Sequence, residues 1–283
     1  MDHTDSVLRA MTDDGAFRVI TTRTTETVRG ILDAQRPHSS SARTFADLIT
    51  GVVLFRETMS PQQRVQGILK RIGEKTSLLA DSNADGDTRG LVQLPQDVEH
   101  FELDGAVLQM MRTMANGRLH QGFVEVPPGG DVSQSLMVYM QSSEQIDTMI
   151  AVGSIFEDDR LVCAGGYLVQ LLPEVGRGPL AIMTERLEDF RTIDAQLKQP
   201  DFSPQALLEE LLHLMPFTEL GNSEVRCRCW CSRTRLITAL STLPRGEIES
   251  MVQEGKLLEI NCDYCHREYA VSPNELHGLL QQS

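Results

Sequence analysis

Through the first 175 residues, short apolar runs alternate with polar breaks in two distinct periods. Residues 16–23 (Ala16-Phe-Arg-Val-Ile-Thr-Thr-Arg23) read as a strand, and Thr25 to Ala34 has the spacing of a helix. The polar stretch His38-Ser-Ser-Ser41 offers capping side chains ahead of a second helix over Ala42 to Met59. Strands are then predicted over Arg64–Leu69, Ser77–Asp81, Arg89–Leu94, Ala106–Met111 and Leu119–Val126, with Asp85-Gly86 and Asn116-Gly117 as turn signals between runs. Val132 to Gln141 reads as a helix, and Asp147–Phe156 and Leu161–Leu172 as two further strands. Helices and strands mix without strict βαβ alternation, so the pattern predicts an α+β main domain over residues 1–175.

A different pattern follows Glu174-Val-Gly-Arg-Gly-Pro179. Leu180, Met183, Leu187, Phe190 and Leu197 recur mostly at three- or four-residue steps, as on one face of an amphipathic helix. Pro200 and Pro204 interrupt, and Leu207, Leu208, Leu211, Leu212, Leu214 and Met215 make a second, leucine-dense helix. Residues 176–224 are therefore expected to be a helical linker, either packed on the main domain or offering a switchable apolar surface. Residues 225–283 form a third part, a small C-terminal module.

Composition narrows the class. With 41% hydrophobic and 23% charged residues the chain is of ordinary globular type. The start, MDHTDSVLRAM, has no apolar core of a secretory signal. The longest apolar run, around Leu48 to Phe55, is far shorter than the ~18 residues that would suggest a membrane span. A cytoplasmic protein without membrane partners is expected. The net charge is −14, and the C-terminal module balances seven basic against seven acidic side chains. No segment has the basic footprint of a nucleic-acid binder.

The cysteines carry the chemistry. Five of the six, Cys227, Cys229, Cys231, Cys262 and Cys265, lie within 39 residues. Cys262-Asp-Tyr-Cys265 is a CxxC half-site, and a CxC pair upstream supplies the other two thiolates of a tetrahedral zinc ion. Spacing alone does not choose between Cys227/Cys229 and Cys229/Cys231, because on a strand all three face one way. Four thiolates close the coordination sphere and leave no position for a water nucleophile, which argues against hydrolysis. No HExxH motif or Walker-type loop is present, and the seven histidines are scattered. His266 reads as a solvated neighbour of the site, Glu144 as a structural acid, and Cys163 as a core thiol. Gly165 and Gly166 read as places of close backbone approach. No enzymatic activity is expected.

The run Cys229-Trp-Cys231-Ser-Arg233, then Ala239-Leu240, Glu247 and Cys262-Asp-Tyr-Cys265 with Tyr269, resembles the zinc centre of the 33-kilodalton redox-regulated heat-shock chaperones. Upstream, Arg89-Gly90, Gln121-Gly122, Tyr139 with Gln141-Ser-Ser-Glu-Gln145, and Ala164-Gly-Gly-Tyr-Leu-Val-Gln170 extend the likeness in the same order. The resemblance implies that Cys229, Cys231, Cys262 and Cys265 hold one zinc ion per chain. It also implies an ATP-independent holdase for unfolding client proteins, inactive when reduced and zinc-bound, and active as a homodimer after oxidation. The implied disulfides are Cys229–Cys231 and Cys262–Cys265. On an extended strand the Cα atoms of a CxC pair lie about 6.6 Å apart, near the upper limit for a disulfide, so forming that bond should bend the chain.

Cys227 departs from the family, which has an apolar residue there, and the Gly73-Glu-Lys-Thr-Ser77 and Val126-Pro-Pro-Gly-Gly130 segments differ as well. Flanked by Arg226 and Arg228, Cys227 is a candidate extra redox thiol, or else a packed replacement for the apolar side chain. These departures motivate an alternative function: a constitutive zinc-stabilised scaffold of the same fold without the switch.

Overall fold

A computed structural model of the chain describes residues 4–95, 98–114, 116–172 and 177–281. It divides into two compact units, Met1–Arg228 and Cys229–Ser283.

In the first unit, strands β1 (Ser6–Thr12) and β2 (Phe17–Arg23) form a hairpin, followed by helices α1 (Thr25–Gln35) and α2 (Ser39–Glu57). Strands β3 (Arg64–Arg71), β4 (Ser77–Ser82) and β5 (Asp87–Gln93) form a meander, and β6 (Ala106–Thr113) and β7 (Leu119–Glu125) continue the sheet beyond β3. Helix α3 (Val132–Tyr139) runs into a π-helical turn, Met140–Glu144, and leads to the long hairpin β8 (Thr148–Glu157) and β9 (Arg160–Leu171). Helices α4 (Arg177–Glu188), α5 (Asp194–Leu197) and α6 (Pro204–Leu211) precede β10 (Phe217–Glu224) and the two-residue strand β11 (Arg226–Cys227). One sheet runs β10-β1-β2-β9-β8 and the other β11-β5-β4-β3-β6-β7.

The two sheets share α2. Apart from Asp47, every residue from Phe45 to Glu57 is buried, which is why the helix reads as apolar around its whole circumference. Val7, Ile20 and Leu168 from the first sheet, and Val65, Leu69, Leu78 and Leu108 from the second, close on it as one core. At its C-terminal end Arg9 and Arg56 pair with Glu57, and Arg18 donates to the Glu57 carbonyl at 2.8 Å, placing positive charge where the helix dipole favours it. The other face of the first sheet carries the alternate residues Leu8, Ala10, Val19, Tyr167 and Val169, which form a second core with Met183, Leu197, Leu207, Leu208, Leu211 and Leu212 from α4–α6. Gly165 and Gly166 permit close approach within this sheet. A Cβ on Gly165 would sit 2.6 Å from the Thr22 carbonyl oxygen, and one on Gly166 would sit 2.7 Å from that of Ala151.

The α+β character expected from the sequence is present, with several differences in detail. The expected helix over 180–197 is broken into α4 and α5, and within the break the Tyr167 hydroxyl donates to the Phe190 carbonyl at 2.7 Å. The segment expected to be purely helical also contains β10, which pairs with β1 across more than 200 residues. The boundary expected near residue 175 falls within 173–176, outside the described residues. Val225–Arg228, placed with the zinc module from sequence, belong to the first unit: Val225 is buried in the first core, and β11 runs parallel to β5. Among the described residues no helix is long and apolar enough to cross a membrane.

The second unit holds α7 (Arg233–Leu240), α8 (Arg245–Glu254), the hairpin β12 (Leu258–Asn261) and β13 (Glu268–Val271), and α9 (Pro273–Leu280). Its core is small, built on Leu240, Ile248, Val271, Leu276 and Leu279.

Candidate metal centre

Two local devices bring the four cysteines of the second unit together. Cys262 and Cys265 lie in the turn of the β12–β13 hairpin. The Cys262 amide donates to the Arg267 carbonyl at 3.0 Å, and the His266 amide donates back to the Cys262 carbonyl at 2.7 Å. His266 takes φ of 55° to close that turn, a backbone role rather than a ligand's. Cys229 and Cys231 lie in the non-helical segment before α7. Ser232 fixes where the helix begins, its hydroxyl accepting from the Arg235 amide at 3.2 Å.

The two halves are then tied to each other. Arg233 donates to the Ala270 carbonyl at 2.7 Å and pairs with Glu275. Glu275 in turn closes a capping box with Ser272 at the start of α9. The Ser272-x-x-Glu275 spacing is a readable helix-start signal. The link from Glu275 to Arg233 spans 42 residues, and no local pattern announces it.

The ligand atoms of Cys229, Cys231, Cys262 and Cys265 all lie within 4.8 Å of one another. Cys229 and Cys262 are 3.8 Å apart at sulfur, and Cys231 and Cys265 are 3.4 Å apart. A tetrahedral ion with Zn–S bonds of about 2.3 Å has sulfur–sulfur edges of about 3.8 Å, whereas a disulfide is about 2.05 Å. The spacing therefore fits four thiolates around one ion. Their acid–base chemistry fits as well. Burial works against ionising Cys231, yet the Tyr269 hydroxyl, 3.1 Å from its sulfur, and the three facing thiols bring it down to about 7. Cys265 is pushed up to about 12 by burial and by the Cys231 sulfur, and Cys262 is raised chiefly by burial. With Cys262 and Cys265 held against ionising, a dication in their midst is what would favour their thiolates.

The remaining candidates lie elsewhere. Cys227 sits in β11 of the first unit, exposed, against Gly30 of α1, with its strand ended before Cys229. Arg226 and Arg228, its sequence neighbours, both turn to Asp87, at 2.6 and 3.9 Å. Cys163 is buried in the second core, where burial pushes its thiol up and the Thr25 hydroxyl approaches its sulfur at 3.8 Å. Glu144 accepts from Arg112 at 3.1 Å beside Tyr139, a structural pairing.

Comparison with known proteins places this arrangement. The chain is 28% identical to the 33 kDa chaperonin of Syntrophotalea carbinolica and 27% identical to that of Bacillus subtilis, in each case over at least 98% of this chain and 99% of the relative. The crystal structure of the 33 kDa chaperonin (heat shock protein 33 homolog) from Thermotoga maritima superposes with a TM-score of 0.82 at 22% identity, covering 99% of both chains, and so shares the fold. The model of the Hsp33 protein family matches residues 5–272. The chain belongs to the Hsp33 family of chaperones.

Proposed function

We propose that this chaperone is an ATP-independent, redox-regulated holdase of the cytoplasm, kept inactive by one zinc ion held through Cys229, Cys231, Cys262 and Cys265. The observation that carries the reading is the set of four sulfurs at tetrahedral spacing in a unit with little other core. When bound, zinc supplies charge compensation and a closed coordination sphere, which stabilise the fold rather than activate water. Structural zinc contributes on the order of 10–16 kcal/mol to a module of this kind.

Oxidation removes that contribution. An oxidant such as peroxide takes two electrons from each thiolate pair, Cys229 with Cys231 and Cys262 with Cys265. As each S–S bond forms, the peroxide takes up two protons and leaves as two waters. The sulfurs thereby lose the charge that holds a dication. Loops of three or four residues closed by disulfides return only about 2 kcal/mol each in the chain-entropy model, so the second unit unfolds. Residues 177–224 lie in the main unit ahead of it, and the second core that α4–α6 cover is the apolar surface that their loosening would offer to unfolding clients. The active form is a homodimer, and Cys227 is a further thiol open to exchange with the new disulfides.

A light-scattering assay with a thermally unfolding client and no nucleotide tests the reading. Aggregation should be suppressed by peroxide-treated protein and not by the reduced, zinc-loaded form. Equal suppression by both forms would leave the constitutive zinc-stabilised scaffold as the correct function.

A further inference from the structure

At one corner of the main unit two methionine sulfurs receive hydrogen bonds. Met59, just beyond α2, accepts from Arg112 Nη1 at 3.2 Å, and Met114, just beyond β6, accepts from Gln63 Nε2 at 3.4 Å. The strand pairing brings these groups together. Arg64 of β3 faces Thr113 of β6, so Gln63 and Met114 lie at the same end of that ladder. Both thioethers are half-buried, and among the described residues no other methionine sulfur accepts a hydrogen bond. A thioether is a weak acceptor, and these donors are largely withdrawn from water. Gln63 is buried. Arg112 shares Nη1 between Met59 and the Glu144 carboxylate, which it meets at 3.1 Å, and its Nε is buried without a partner. Two donors therefore meet sulfur where the rule for buried polar groups calls for oxygen.

We propose that Met59 and Met114 are sites of oxidation to methionine sulfoxide, at which the folded main unit holds the new oxygens on Arg112 and Gln63. Peroxide is the oxidant. The sulfur lone pair attacks one peroxide oxygen, and the S–O bond forms as the O–O bond breaks. The proton on the transferred oxygen passes to the departing hydroxide, so sulfur loses two electrons and one water leaves. A sulfoxide is ordinarily disruptive, because it puts a polar group into an apolar setting. Here a guanidinium and an amide already point at the sulfurs, so each oxygen replaces a weak acceptor with a strong one. The sulfur must swing back to admit the oxygen, which an unbranched, half-buried side chain with three rotatable bonds allows. Met110 and Met140, both fully buried, lack that access and stay as thioethers. The inference goes beyond the zinc switch: it involves the main unit alone and holds whether or not the C-terminal unit unfolds.

The test treats full-length protein with peroxide, then returns it to a thiol reductant and zinc, which restores the cysteines and leaves sulfoxides in place. Peptide mass spectrometry maps every methionine, and the thermal midpoint of the main unit is compared with that of untreated protein. The expected result is sulfoxide at Met59 and Met114 and none at Met110 or Met140. The double variant Met59→Leu/Met114→Leu supplies the shift in midpoint caused by the other methionines, and wild type should fall no further than this. Gln63→Leu removes the donor to Met114. Arg112→Leu combined with Glu144→Gln removes the donor to Met59 without stranding a charge. In both donor variants oxidation should lower the midpoint by about 2–4 °C more than in wild type. Met59 and Met114 left as thioethers at a peroxide dose that converts the half-buried Met111 and Met137 would overturn the proposal. Equal shifts in wild type and both donor variants would overturn it too, reducing the sulfoxides to surface damage. The methionine map is read on wild type, so it decides the first point even where a variant does not fold.

Discussion

The two units of this chain are held together by different means. The main unit buries a nearly all-apolar helix, α2, between two sheets, and a second layer of leucines from α4–α6 covers the far face of the first sheet. The C-terminal unit has a handful of buried side chains and four converging sulfurs. A core that size cannot offset the ordering entropy of some 55 residues at roughly 1.5 kcal/mol each. One unit therefore depends on area removed from water and the other, in the proposed reading, on a metal centre that oxidation would dismantle. The redox switch proposed above would need that asymmetry, since such a switch must melt without taking the α2 core with it.

Removing one sulfur tests the asymmetry most severely. Cys262→Ser should reduce zinc from one ion per chain to none and unfold the second unit, while the thermal transition of the main unit keeps its midpoint. Elemental analysis and calorimetry check both halves, and an unchanged zinc content would break the assignment. The converse change is Leu54→Ala, at a fully buried position of α2. It should destabilise the main unit by about 2–5 kcal/mol and leave zinc content untouched. Chemical denaturation read alongside zinc release separates the two.

A pH series sharpens the comparison further, because the main unit also carries a strained charge. Burial pushes the carboxyl of Asp47 up to about 7, with Asp131 and Asp194 adding to it, against the Ser154 hydroxyl that donates to it at 2.7 Å and the charge of Arg43. A carboxyl raised above its ordinary 3.8 binds its proton more tightly in the folded state. Its contribution to stability is therefore largest below pH 4 and is lost as pH rises through about 7. The main unit's thermal midpoint should fall over that window, and Asp47→Asn should flatten the fall. The smallest effects belong to capping. Ser232→Ala should cost the second unit about 1 kcal/mol by freeing the start of α7, seen as faster zinc loss to a chelator. Cys227→Ser should leave zinc content unchanged and alter only the recovery of oxidised protein under reductant.

Legibility followed the range of the interactions. The CxC and CxxC pairs are local, so the sequence displays them, and the structure brings their sulfurs together. The buried helix α2 was visible as the longest apolar run. By contrast β10 is an exposed edge strand whose pairing with β1 lies more than 200 residues away. The division between units was misplaced by four residues because Val225 and β11 are claimed by partners in the N-terminal part of the chain. The surroundings of Cys227 were hidden for the same reason: its two arginines serve Asp87, about 140 residues upstream. Tyr269 was visible as part of a family pattern, whereas its donation to the Cys231 sulfur required the folded hairpin.

Oxidation, as proposed, melts the metal-held unit, loosens α6 and β10 and leaves the α2 core folded. Hydrogen exchange followed by mass spectrometry, on the full chain before and after peroxide, addresses it residue range by residue range. Protection should vanish across 233–280 and persist across 45–55 of α2. Residues 204–224 should lose protection only in the oxidised protein. Equal protection of 233–280 in the two states would contradict the account.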